Sequence, residues 1–120
     1  MTEIMFNKES RRSDKRLNNP RVKSRIKQNE RRLDADVLNI CRRGLRFRSK
    51  EKFQNGDIVK IELSSEDEKV SLNLVIKGKI VNDYGKVTED KHEYGVKFSR
   101  FLYWHEMNSI HDFVHSYIKR

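Results

Sequence analysis

Cysteine is all but missing: Cys41 stands alone in 120 residues. One thiol cannot close an internal disulfide, so the framework of a small secreted scaffold is excluded and a reducing compartment is expected. Long apolar runs are missing as well. No segment approaches the ~20 consecutive apolar residues that a membrane-crossing helix needs. The first twenty residues contain no apolar stretch of the secretory kind. A cytoplasmic protein without membrane insertion is expected. Aromatics are scarce where positive charge is dense, with only Phe6 and Phe47 in residues 1–50. A platform that stacks single-stranded nucleic acid usually offers more, which counts against DNA or RNA as the partner. No Gly-rich phosphate loop, nucleophile–base pair or facing carboxylate pair stands out, so no enzyme is expected. His111 and His115 are four apart with Asp112 between them. The spacing permits joint metal ligation, but Asp112 stands where H-E-x-x-H has its glutamate, and no third ligand is apparent. The pair reads as polar surface, and neither metal nor cofactor is expected.

What the chain does have is unevenly placed charge. Residues 1–50 hold 16 Lys and Arg against 6 Asp and Glu, a net of +10, while residues 51–120 carry a net of −1. The excess positive charge therefore sits at the N-terminal end and on the first strands. Such asymmetry implies an anionic partner: nucleic acid, nucleotide or an acidic surface. The length suits one small domain with a modest core.

Residues 1–20 are polar and aperiodic and end on Asn18-Asn19-Pro20, turn residues. They read as a flexible arginine-rich arm, with residues 21–120 forming the domain. Weak alternation from Arg21 to Lys27 gives a first strand. A second runs from Arg32 to Ile40, its apolar parity shifting at Leu38 and Ile40. If those two point inward, Asn39 and Cys41 lie off the core face. Leu45 and Phe47 alternate with Arg46 and Arg48 in a third strand. Gln54-Asn55-Gly56-Asp57 is a turn, and Val59, Ile61 and Leu63 mark a fourth strand. Ser64 to Glu68 is a solvated polar loop. Val70, Leu72, Leu74 and Ile76 give the fifth strand, Asn82 to Lys91 a polar connection, and Tyr94, Val96 and Phe98 the sixth. The period then changes to three and four. Tyr103, Met107, Ile110, Val114 and Tyr117 share one stripe, with Phe113 and Ile118 beside it, predicting an amphipathic C-terminal helix. The expected fold is all-β with one C-terminal helix: a six-stranded antiparallel barrel with the helix packed on it.

The chemistry-bearing residues fall in two groups. Arg12 and Arg16 are fork-shaped cations suited to phosphate oxygens and purine acceptors. Asn39 offers an amide, and Cys41 points to the same side of an extended chain. Gly44 allows the strand to turn without a Cβ clash. An RxxxR arm followed by a D/N-x-S-x-x-G strand end resembles the PilZ domain, the bacterial receptor module for cyclic di-GMP. Arg12 and Arg16 match the first element and Asn39 to Gly44 the second, with Cys41 where the family has serine. The strand order and the ending Tyr94-Gly95-Val96-Lys97-Phe98 are similar to that family too. A second spaced pair, Arg21 and Arg25, stands only 14 positions before Asn39, whereas Arg16 stands 23 before it. The longer gap leaves room for the hairpin by which the PilZ arm returns to its barrel, so Arg21 and Arg25 read as surface charge on the first strand.

The resemblance implies that Arg12 and Arg16 bridge phosphates, meet guanine O6 and N7, or stack on a base. It implies that Asn39 and Cys41 hold a guanine edge. Arg11, just before the pair, resembles the versions that take a stacked ligand pair. Arg43, with Arg42, Arg46 and Arg48, either completes the phosphate site or raises the local potential. A thiol donates more weakly than a hydroxyl, so Cys41 should cost affinity unless it is simply a small passive side chain; a redox role beside Arg42 and Arg43 is the less economical reading. The expected function is a cyclic di-GMP receptor whose arm changes conformation on binding and which signals to a downstream protein of motility, biofilm or export machinery. The alternatives are a PilZ-like adaptor that has lost the nucleotide and a small nucleic-acid-binding barrel.

Overall fold

The computed structural model describes residues 16–20, 22–65 and 72–118. The strands are β1 (Leu17–Asn18), β2 (Val22–Gln28), β3 (Arg31–Ile40), β4 (Gly44–Ser49), β5 (Ile58–Ser65), β6 (Asn73–Thr88) and β7 (Lys91–Phe98), followed by helix α1 (Trp104–Ile118). All pairings are antiparallel. The sheet runs β3-β2-β5-β6-β7-β4, and β4 returns to pair with β3, closing a six-stranded barrel. Closure leaves no long unpaired edge among these strands. The two-residue β1 pairs with Asn39 and Ile40, on the edge of β3 that β2 leaves uncovered beyond Ala35.

The period-two patterns become the barrel interior. Ile26, Ile61, Leu63, Ile76 and Ile80 are buried to 2% exposure or less; each such side chain contributes about 1.5–3 kcal/mol when removed from water. Phe47, Phe53 and Tyr94 pack together at ring separations of 5.5–5.6 Å. The Tyr94 hydroxyl accepts the Phe53 backbone N–H at 3.0 Å, so the polar tip of this buried ring is satisfied. The turn at residues 54–57 forms as its sequence predicts. Asp57 N–H donates to the Gln54 carbonyl at 3.0 Å, and Gly56 carries the positive φ of 96°.

Three expectations need correction. The polar stretch from Asn82 is strand: β6 continues to Thr88 and pairs with β7 through Lys91. Register shifts at Ile80/Asn82, Asp83/Gly85 and Lys86/Thr88 break its alternation, which hides a strand from period counting. The helix stripe is also rotated from its expected centre. Tyr103 precedes α1 and is exposed, whereas Leu102, Glu106, Ile110 and Phe113 are buried. Glu106 belongs on that face because it is fully partnered. Arg100 donates to both its oxygens at 2.9 Å, and the Tyr103 N–H at the helix start donates to Oε1 at 2.7 Å. The Arg100 hydrogen bonds, helped by the Tyr103 N–H and outweighing burial, hold the Glu106 carboxyl below its ordinary range. The expected loop at Ser64–Glu68 starts later than its polarity suggests, because Ser64 and Ser65 end β5, paired with Lys23 and Val22 of β2. Its remainder, Glu66–Glu68, the strand position Val70, and the side chains of Val114, Tyr117 and Ile118 lie outside the described residues.

Candidate functional site

The β3–β4 connection sets the geometry. Cys41 N–H donates to the Gly44 carbonyl at 2.9 Å, closing a tight turn with Arg42 and Arg43 at its tip. The turn is tied to the chain after β7: Phe98 N–H donates to the Arg43 carbonyl at 2.7 Å, and Leu102 N–H to the Arg42 carbonyl at 3.0 Å. Gly44 pairs with Lys97, and a Cβ on it would lie 2.0 Å from the Val96 carbonyl oxygen. Its φ is not among the positive ones. The role of this glycine is therefore close backbone approach between β4 and β7, and the freedom to turn, expected from sequence, is not what the position uses.

Beside this turn lies an open groove of about 870 Å³, lined by Arg16, Asn39, Cys41, Arg43, Gly44, Leu45 and Arg46 on one side and by residues of β6 and β7 on the other. That volume is within the range of about 300–1,000 Å³ for small-ligand sites. Arg16, Arg43, Arg46 and Lys97 bring positive charge to it, and no acidic side chain lines it among the described residues. Arg16 donates from Nη1 to Asn39 Oδ1 at 2.7 Å, joining residues 23 positions apart. A bulge between Val37 and Asn39 shifts the register of β3, so that Asn39 lies opposite Arg46. Cys41 lines the groove yet is only 4% exposed. The expected sites Arg11 and Arg12 lie outside the described residues; Arg16, Asn39, Cys41, Arg43 and Gly44 share the groove. Arg25 is elsewhere, on β2, beside Asp34 at 3.6 Å.

The four arginines near the turn part company. Arg43 and Arg46 line the groove; Arg42 lies over Phe101 at 5.8 Å, and Arg48 reaches Glu93 at 3.1 Å. Arg46 is held from two sides. Its guanidinium sits 3.7 Å from the centre of the Tyr84 ring and 2.8 Å from Glu93 Oε1. Burial pushes the Glu93 carboxyl up, but the hydrogen bonds and charges of Arg48 and Arg46 together outweigh it and hold the pKa below its ordinary value.

The far wall was not legible from sequence. Val81, Asn82 and Tyr84 come from the part of β6 read as a connection, and Gly95, Val96 and Lys97 from β7. Tyr84 fits because Gly95 beneath it has no side chain: a Cβ there would lie 3.2 Å from the ring. An aromatic inside an otherwise polar run was the available signal.

These features define a small closed β-barrel domain with a C-terminal helix and a cationic groove at its rim. The chain belongs to the PilZ domain family, whose model it matches over residues 10–114. That family comprises cyclic di-GMP receptor and adaptor domains and is not a known enzyme family. Among solved structures, the Bacillus subtilis inhibitor of motility, MotI/DgrA, is similar in fold, with a TM-score of 0.67 at 12% identity. The likeness covers 91% of this chain and 52% of that one, so this chain spans about half that protein's length. No curated protein matches the sequence at a significant level. No helix among the described residues is long and apolar enough to cross a membrane.

Proposed function

We propose that this chain is a cyclic di-GMP receptor that binds the nucleotide in the rim groove and passes the signal to a partner protein of motility, biofilm or export machinery. The observation that carries the reading is the 2.7 Å contact between Arg16 and Asn39, one residue from each half of the paired motif. In this reading Arg12 and Arg16 take phosphate oxygens or a guanine Hoogsteen edge from the arm, with Arg11 beside them. Asn39 and Cys41 meet a guanine from the barrel side, and Gly44 lets β4 lie close against β7 at the groove floor. Arg43 adds charge at the turn. Arg46, already held over the Tyr84 ring, is placed to meet a base or a phosphate.

Calorimetric titration of cyclic di-GMP into the wild type, Arg12→Ala and Arg16→Ala tests it. Each variant should bind at least tenfold more weakly, as expected when a charge-assisted bond of about 1.5–3 kcal/mol is lost. Unchanged affinity in both variants rejects the site. The same titration gives the stoichiometry, two ligands per chain being what Arg11 suggests. One observation favours a second reading, an adaptor without nucleotide: the residue at the family's serine position is a thiol, 4% exposed. Absence of heat at high ligand concentration would support that reading.

A further inference from the structure

Phe101 and Tyr103, on the short segment between β7 and α1, are 55% and 58% exposed, and Trp104, the first residue of α1, is 78% exposed. A lone exposed aromatic needs no explanation. A run of them on one segment does, because large exposed apolar surface in a soluble domain commonly marks an interaction site. The segment is also held in place. Leu102, between the exposed rings, is 1% exposed, and its N–H donates to the Arg42 carbonyl at 3.0 Å. The guanidinium groups of Arg42 and Arg43 lie 5.8 and 5.2 Å from the centre of the Phe101 ring. Arg100 lies 4.5 Å from the centre of the Tyr103 ring while both Glu106 oxygens hold it. Rings fixed before binding lose little conformational entropy on binding, and Trp, Tyr and Arg are the residues that most often carry interface energy.

We propose that Phe101, Tyr103 and Trp104, with Arg42 and Arg43, form a docking surface for a partner protein that presents carboxylates around a bulky apolar side chain. The charge calls for an acidic partner: two guanidinium groups lie over Phe101, and the Glu106 carboxylate is already engaged by Arg100. Three exposed aromatic residues within four positions of chain suit a protein partner better than a bilayer. The following helix turns Ile110 and Phe113 into the core, so its apolar face is not available to lie in a lipid interface. Arg43 also lines the rim groove. A ligand that draws its guanidinium toward phosphate pulls it from Phe101, which couples the groove to the docking surface. This coupling, unlike the surface itself, rests on the cyclic di-GMP reading.

The test uses fluorescence anisotropy of labelled synthetic dodecapeptides: acidic with a central Leu-Phe pair, the same composition without the apolar pair, and a lysine-flanked version of the pair. The full chain should bind the first set and bind the other two at least tenfold more weakly. Trp104→Ala and Phe101→Ala should each weaken the first set at least tenfold, whereas Val75→Ala, an exposed apolar site on β6, should not. Failure of the acidic apolar peptides to bind, equal binding to Trp104→Ala, or equal binding of peptides without the apolar pair overturns the surface. Binding only to vesicles containing phosphatidylserine overturns the protein partner. For the coupling, saturating cyclic di-GMP should change peptide affinity at least threefold. If calorimetry shows nucleotide binding and peptide affinity does not move, the coupling fails and the receptor reading stands. If calorimetry shows no binding, the receptor reading fails and the coupling with it, and the peptide series still decides the docking surface.

Discussion

Replacing Gly44 by alanine asks how closely β4 and β7 approach at the groove. A Cβ built on Gly44 lies 2.0 Å from the Val96 carbonyl oxygen, 3.1 Å from its carbon and 3.3 Å from Lys97 Cα. All are backbone atoms, so no flexible side chain can swing aside. Either strand must give by more than an ångström, or the Gly44–Lys97 pairing must open. Overpacking of this kind costs about 1–3 kcal/mol, and a backbone clash belongs at the upper end. With a domain stability of 5–15 kcal/mol as the usual range, about 3 kcal/mol is a large share. It should lower the melting temperature by roughly 10–15 °C for a chain of this size. Gly56→Ala is the control. Gly56 has a positive φ of 96° and nothing within 4 Å of a built Cβ, so its cost is conformational alone, about 1–2 kcal/mol. Thermal and urea unfolding of both variants decides the matter: Gly44→Ala should be clearly the less stable. If it unfolds at or above the Gly56→Ala midpoint, close approach is not what the position requires, and the account of the motif glycine is wrong.

Other perturbations have equally definite outcomes. Glu93→Gln removes the carboxylate shared by Arg46 and Arg48 and should cost roughly 1–2 kcal/mol at neutral pH, discounted for the partial exposure of both arginines. Because the folded Glu93 carboxyl is held below its ordinary value of 4.5, the unfolded chain takes up the proton first as pH falls. The stabilisation is therefore complete above about that value and is lost below it, so wild type should lose more stability than Glu93→Gln on acidification in urea titrations; parallel losses would rule the linkage out. Lys60 pairs directly with Lys27 on β2 and Lys77 on β6, a row of like charges. Lys60→Glu should stabilise by roughly 0.5 kcal/mol at low salt, with the gain fading near ~1 M salt; destabilisation at low salt would contradict it. Cys41→Ser restores the family's hydroxyl and should tighten cyclic di-GMP binding about fivefold, the equivalent of ~1 kcal/mol for one neutral hydrogen bond. Unchanged calorimetric affinity would mean that this side chain does not touch the nucleotide.

The barrel was legible because its interior obeys a simple period. Ile26 on β2, Val59, Ile61 and Leu63 on β5, and Tyr94, Val96 and Phe98 on β7 alternate with charged or small residues, and all are buried. Closure needs only that such strands pair in antiparallel order and that the last meets the first. The pattern failed where local geometry broke it. In β6 the register slips three times between Ile80 and Thr88, and each slip reverses the face that the next residue presents. At α1 the face toward the barrel includes a carboxylate, Glu106, which no apolar stripe would admit. Arg100, six positions earlier, and the Tyr103 N–H together compensate that burial.

The groove shows the same division. Apart from Arg16, its near wall is local in sequence: Asn39 to Arg46 lie within one hairpin, so residue types at fixed spacing mark them. Its far wall depends on which strands the barrel places opposite that hairpin, and spacing carries no information about that. Tyr84 illustrates why. Its ring lies over Gly95 and stacks on Arg46, contacts spanning 11 and 38 positions of chain, and only the β6–β7 and β4–β7 pairings bring the three residues together. Arg46 consequently reads from sequence as one cation in a crowd. In the fold it is held from two sides, by the Tyr84 ring and by Glu93. An arginine already immobilised loses little entropy when a base or phosphate arrives. Removing the ring that orients it should therefore weaken an anionic ligand even though the positive charge remains, and that separates preorganisation from simple electrostatic attraction at this rim.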